Sequence, residues 1–216
     1  EKPRLVLIHL ATEAVRTGSP VVNVEESMTG FARSLGLETN GQQLRSLKDQ
    51  LARLAAATVR MGVVEEGRAI QVNTQFVSAF DLWFPKHADQ RVLWPSTVRL
   101  SEEYYRSLGQ HAVPLDHRAV AALASSSLAL DIYVWLAQRL HRVPSAKPQF
   151  VAWSLLHEQF GQGFTRVRDF RRKFLQSLHQ VGSAYPAARM SADDKGLTLS
   201  HSPPPVAPRN ASPRLL

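Results

Sequence analysis

The chain has 216 residues, 44% hydrophobic and 20% charged, ordinary usage for one or two globular domains with a buried core. No apolar run approaches the ~18 residues a membrane span needs. The absence of cysteine excludes disulfides, thiolate metal sites and a cysteine nucleophile. Basic residues outnumber acidic ones 26 to 18, and the excess is lopsided: residues 1–109 carry 13 basic and 12 acidic residues, residues 110–216 carry 13 and 6.

A near-neutral half joined to a basic half points to a polyanionic partner for the second half. Double-stranded DNA is the expected partner. A membrane surface is the weaker choice, because no basic amphipathic helix has an exposed apolar face. Glu1 is not an initiator methionine, as expected of a fragment or of a chain that has lost a leader. The apolar stretch from Leu5 to Ala11 is short and runs into Glu13 and Arg16, so it reads as a buried helix rather than a signal peptide.

Residues 3–17 read as a helix with Pro3 in its first turn and Gly18 at its stop. Leu5, Ile8, Thr12 and Val15 are expected on its inner side. Val21–Val24 is a short β-branched piece. Ser27 is expected to cap a helix through Leu35, ended by Gly36. After the Asn40-Gly41 turn, a helix over 42–57 carries the stripe Leu44, Leu47, Leu51, Leu54 and Thr58. Residues 58–65 and 68–77 read as two strands around Glu66-Gly67. Further strands are expected at 79–84 and 92–100, extending or following that sheet. The order helix, strand, helix, helix, hairpin is the layout of a winged-helix domain.

The second half repeats it. Helices are expected from Pro114 to Ala124 and from Leu128 to Leu140, the latter apolar all round and therefore central. A strand over 150–153, a helix over 154–160, a long helix over 166–182 capped by Thr165, and a hairpin of 187–192 with 197–201 follow. Residues 203–216 are Pro-rich and are expected to be a disordered tail.

The long helix carries the strongest chemistry. Val167, Phe170, Phe174, Leu178 and Val181 step by three or four and should pack inward. Arg168, Arg172, Gln176 and His179 fall opposite, with Arg166 and Lys173 on one flank and Arg171 on the other. Each guanidinium can fork onto a phosphate or onto guanine O6 and N7, and Gln176 can read adenine. As the second helix of a helix-turn-helix it would enter the major groove, with Arg189 and Lys195 of the following hairpin on phosphates or in the minor groove. The plain alternative is a solvated basic face. The matching helix of the first half carries Gln42, Arg45, Asp49 and Arg53, with Lys48 at the side. Either a weaker DNA contact through Arg45, Lys48 and Arg53 or a structural or dimer face fits it. Val72, Phe76, Val77, Phe80 and Trp83 read as core, or as an edge for a partner subunit.

Metal and catalytic readings fare poorly. His157-Glu158 begins like a zincin helix, but Gly161 stands where the second His belongs. No phosphate-binding glycine loop is present. Ser125-Ser126-Ser127 reads as a loop and cap, Asp116 and Asp131 as helix punctuation, and Trp135 and Trp153 as core. No enzyme activity and no cofactor are expected. A transcriptional regulator of the same fold is the alternative, and a nickase the more distant one.

An ordered set of short segments resembles the plasmid-encoded RepA replication-protein family. It comprises Lys2-Pro3-Arg4-Leu5, Thr12 to Gly18, Leu82-Trp83-Phe84, Val113-Pro114-Leu115-Asp116 and Ser127 to Tyr133. Trp135-Leu136, Arg139-Leu140, Leu156 to Gly161, Phe170-Arg171-Arg172, Gly196-Leu197 and Ser200 to Pro203 continue it, and the likeness runs nearly to Val206. The resemblance implies a bacterial cytoplasmic initiator of plasmid replication built of tandem winged-helix modules. Such a protein binds repeated origin sites, helps open the duplex and recruits the host replicative helicase and initiator. A homodimer is among the states it implies.

The expectation is thus an α/β chain, mostly α with small antiparallel sheets, of two winged-helix domains. The first spans 1–109, the main DNA-binding domain 110–202, and the tail 203–216.

Overall fold

The computed structural model describes residues 2–23, 28–65, 68–80 and 97–206. The expected Ser27 cap, the Glu66-Gly67 turn, Trp83 and most of the strands placed at 79–84 and 92–100 lie outside them. The protein is mostly helical with small antiparallel sheets. Its chain divides into two compact units, one over residues 2–112 and one from Val113 onward.

In the first unit α1 (Lys2–Thr17) buries Leu5, Val6, Leu10 and Ala14. The expected inner stripe differs: the Thr12 hydroxyl donates to the Ile8 carbonyl at 2.7 Å, and Val15 is 52% exposed. The segment is apolar on two sides, so periodicity alone does not choose the buried one. Strand β1 (Val21–Asn23) follows, then α2 (Met28–Ser34), which buries Phe31 and Ala32. Gly36 (φ 70°) ends α2, with Leu37 N–H on the Ala32 carbonyl and Gly36 N–H on the Arg33 carbonyl, both at 2.9 Å. That left-handed C-terminal turn favours glycine. Helix α3 (Gly41–Ala56) is capped by Asn40, whose side chain accepts from the Gln43 N–H, and it buries Leu47 and Leu54.

Among the described residues, strands β2 (Thr58–Glu65) and β3 (Arg68–Gln75) pair only with each other, from Thr58↔Gln75 to Glu65↔Arg68. Of the two arrangements expected for the later strands, extending this hairpin or following it, the described residues show the second. β4 (Val77–Phe80) and β5 (Thr97–Leu100) form a separate sheet with β1, in the order β1-β5-β4. Only Phe76 separates β3 from β4, fewer than the two residues of the tightest common hairpin loop, so β4 does not fold back onto β3. Helix α4 (Glu102–His111) closes the unit, capped by Ser101 with Glu102 and Glu103 in its first turn.

The second unit opens with α5 (His117–Leu123), capped by Asp116, and α6 (Ser127–Arg139), capped by Ser126. Every residue of α6 is buried or half-buried, as its all-round apolarity requires. A 3-10 turn (Leu140–Arg142) leads to β6 (Gln149–Ala152), α7 (Trp153–Phe160), α8 (Val167–Ala184), β7 (Arg189–Ala192) and β8 (Gly196–Ser200). The sheet order is β6-β8-β7. The core joins Leu130, Ile132, Tyr133 and Leu136 of α6 to Phe170, Phe174 and Val181 of α8 and to Leu197 and Leu199 of β8. Its aromatic rings meet edge-on or tilted, Trp153 and Phe160 each 5.7 Å from Phe174. Such offset contacts are the favourable ones for π-systems. The packed chain runs on to Pro203, whose carbonyl accepts from the Tyr185 hydroxyl at 2.5 Å, and residues 203–206 are described while 207–216 are not.

The two units share one plan. Helix, strand, helix and helix precede a final strand pair, and the last strand lies in the middle of each sheet. The β2–β3 hairpin is an insertion in the first copy.

Candidate nucleic-acid interface

Helix α8 is long, and its apolar residues recur at helical spacing, so it presents one face to the core and one to solvent. Phe170, Phe174, Ser177, Leu178 and Val181 are buried. Val167, expected inside, is 46% exposed, because it is the first helical residue and lies at the unit's rim. The expected Thr165 cap is also corrected. Arg166 holds the N-cap position in extended backbone, with no side-chain cap bond.

Opposite the core, Arg168, Arg172, Gln176 and His179 are exposed, and so are Arg166 and Lys173. Arg172 is 85% exposed, and its Nη2 stands 3.9 Å from Asp169 Oδ1, the limit of an ion pair. A pair this open and this long contributes little. Lys173 Nζ donates to Gln176 Oε1 at 3.3 Å. No ion pair holds Arg166, Arg168 or Lys173 among the described residues. Phe164, Asp169, Arg172, Lys173 and Gln176 line a shallow depression on this face. Sequence reading missed Phe164 and Asp169 as members. The alternation of Asp169 with cations on one helical turn is the signal that was there to find.

Arg171 does not join the row. It turns toward the β7–β8 connection, pairs with Asp194 Oδ1 at 2.8 Å and lies over the Trp153 ring. In that connection Asp193 Oδ1 accepts from the Lys195 and Gly196 N–H groups at 2.7 and 2.9 Å. These two donors, Gly196 first, hold the Asp193 carboxyl below its ordinary value, with Lys195 and Arg171 adding to the effect. Arg189 and Lys195 are exposed on the same hairpin. In the first unit Arg45, Lys48 and Arg53 are exposed on α3 beside Asp49, as the helical pattern requires.

His157 is not arranged as a ligand. Its Nε2 donates to the Phe164 carbonyl at 3.1 Å, and its ring packs 5.2 Å from Phe170. Among the described residues no three His, Asp or Glu side chains gather as a metal site, and no helix is long and apolar enough to cross a membrane.

The chain is thus mostly helical, with two like-ordered units, one of which carries a row of exposed guanidinium groups. The family model described as plasmid encoded RepA protein matches residues 1–157, and the chain belongs to this family of plasmid replication proteins. No curated protein and no solved structure matches the chain. The matched residues end inside α7, short of the likeness read up to Val206, so α8 rests on its own geometry.

Proposed function

We propose that the chain is a plasmid replication initiator that binds specific double-stranded DNA through its second unit, without catalysis and without a cofactor. Both units are read as winged-helix modules, α8 as the helix that enters the major groove and the β7–β8 hairpin as the wing. The observation that carries this reading is the exposed row Arg168, Arg172 and Gln176, set directly opposite buried Phe170, Phe174 and Val181. Affinity comes from phosphate contacts of Arg166, Lys173, Arg189 and Lys195, and choice of sequence from Arg168, Arg172 and Gln176 on base edges. Arg45, Lys48 and Arg53 supply a weaker second contact. The family favours a bacterial cytoplasmic setting and recruitment of the host replicative helicase and initiator at repeated origin sites.

The test is selection of bound fragments from random duplex DNA by the chain and by an Arg168→Ala/Arg172→Ala variant. The wild-type chain should enrich a motif in direct repeats, and the variant, folded because both residues point outward, should enrich nothing. A palindrome would favour a dimeric regulator of transcription. Equal enrichment by both proteins would remove α8 from the interface.

A further inference from the structure

We infer that Arg171 touches no DNA and instead positions the Lys195 turn, so that α8 and that turn grip one duplex as a single rigid surface. The inference rests on the DNA-binding reading of α8.

Four contacts hold Arg171. Its Nη2 donates to the Asp193 carbonyl oxygen at 3.1 Å and to Asp194 Oδ1 at 2.8 Å, and its Nη1 reaches the Asp194 carbonyl at 3.5 Å. Its guanidinium carbon lies 5.2 Å from the centre of the Trp153 ring. Trp153 grips the same turn from below. Its indole N–H donates to the Asp193 carbonyl at 3.0 Å, and its backbone N–H donates to the Lys195 carbonyl at 3.1 Å. The side chain of Arg171 is 33% exposed, against 85% for its neighbour Arg172. A planar fork with two carbonyls, a carboxylate and an aromatic face already engaged has little left to offer a phosphate, whereas Lys195 stands out from the turn that the fork holds.

A short surface turn left to itself samples many conformations, and ordering it at the moment of binding weakens affinity. A turn fixed in advance to the recognition helix avoids that loss. The spacing from Arg168 and Arg172 to Lys195 is then a property of the free protein.

The experiment is a double-mutant cycle on DNA affinity with Arg171→Ala, Lys195→Ala and both, run beside amide exchange of the DNA-free proteins. Arg171→Met, which keeps the apolar stem on Trp153, repeats the cycle should the alanine variant fail to fold. Each single change is expected to weaken binding by roughly tenfold, and the double change by little more than the worse single one, because they act through one contact. The Lys195 and Gly196 amides should exchange faster in the Arg171 variants. Multiplicative losses with unchanged exchange would make Arg171 a direct contact and overturn the inference. Lys195→Ala binding like wild type while Arg168→Ala does not would overturn it and leave the role of α8 standing. If Arg168→Ala, Arg171→Ala and Lys195→Ala all bind like wild type, the DNA reading itself falls, and faster exchange in the Arg171 variants would then report the clamp as purely structural.

Discussion

The hydroxyl of Tyr133, at the centre of α6, accepts a 2.9 Å hydrogen bond from the backbone N–H of Asp116, seventeen residues earlier. Asp116 caps α5, and the fully buried Tyr133 ring meets Tyr185 edge-on at 6.1 Å. One phenol therefore ties the entry of α5 to the helix that the rest of the unit packs around. Tyr133→Phe keeps the ring and leaves the Asp116 N–H without its acceptor. An orphaned partner of this kind costs about 1–3 kcal/mol. Urea unfolding should show that loss, while DNA affinity of the folded protein stays as in wild type.

Tyr185 supplies a pH dependence. Burial, and secondarily the neighbouring Tyr133, push its phenol from 10.0 up to about 12. The folded chain therefore holds this proton more tightly than the unfolded chain does. The stability it contributes is complete below pH 10.0 and is lost as the pH rises through about 12. Ionisation also removes the donor to the Pro203 carbonyl. Urea midpoints measured across that range should fall more steeply for wild type than for Tyr185→Phe. Parallel profiles would show that the phenol is not buried as described.

Two glycines should respond with opposite signs. A Cβ on Gly196 would stand 2.2 Å from the Val151 carbonyl oxygen and 3.0 Å from Ala152 Cα, both backbone atoms of the paired strand β6. Neither can move without opening the sheet, so Gly196→Ala should cost about 1–3 kcal/mol or more. Gly109 lies in α4 with nothing within 4 Å of the added carbon. Gly109→Ala should stabilise by about 0.5–1 kcal/mol through helix propensity alone. Thermal unfolding of the two variants separates the cases, and a stabilised Gly196→Ala would refute the close approach of β8 to β6.

Much of this was legible because it is local. Phe170, Phe174, Leu178 and Val181 repeat at the helical period, and Asp116 and Ser126 carry the side chains that cap helices, while Asn40, read only as part of a turn, caps α3. Helix α4 was missed although Ser101-Glu102-Glu103 announces its start. The role of Arg171 was not legible. Whether a cation on a helix flank meets water or a turn 22 residues downstream is decided by the β6-β8-β7 sheet, which no local pattern encodes. The pairing of β1 with β5, from Val21↔Arg99 to Asn23↔Thr97, is remote in the same way.

Salt dependence tests the composition of the interface. With Arg171 withdrawn, the exposed cations on α8 and the β7–β8 hairpin are Arg166, Arg168, Arg172, Lys173, Arg189 and Lys195. With Arg166, Lys173, Arg189 and Lys195 on phosphates and Arg168 and Arg172 on base edges, log K against log salt should slope at about −3.6, from roughly −0.9 per contact. Lys173→Ala should weaken binding to every sequence alike and flatten the slope by about 1. Arg172→Ala should behave differently. Its fork stands beside the Asp169 carboxylate, which repels phosphate but accepts from the cytosine amino group, so this part of the helix is suited to a base edge. The expected result is a loss of about 1–3 kcal/mol at the selected site, relaxed choice at one base position, and a slope close to that of wild type. A slope that falls by a full contact with no change in sequence preference would assign Arg172 to the backbone instead.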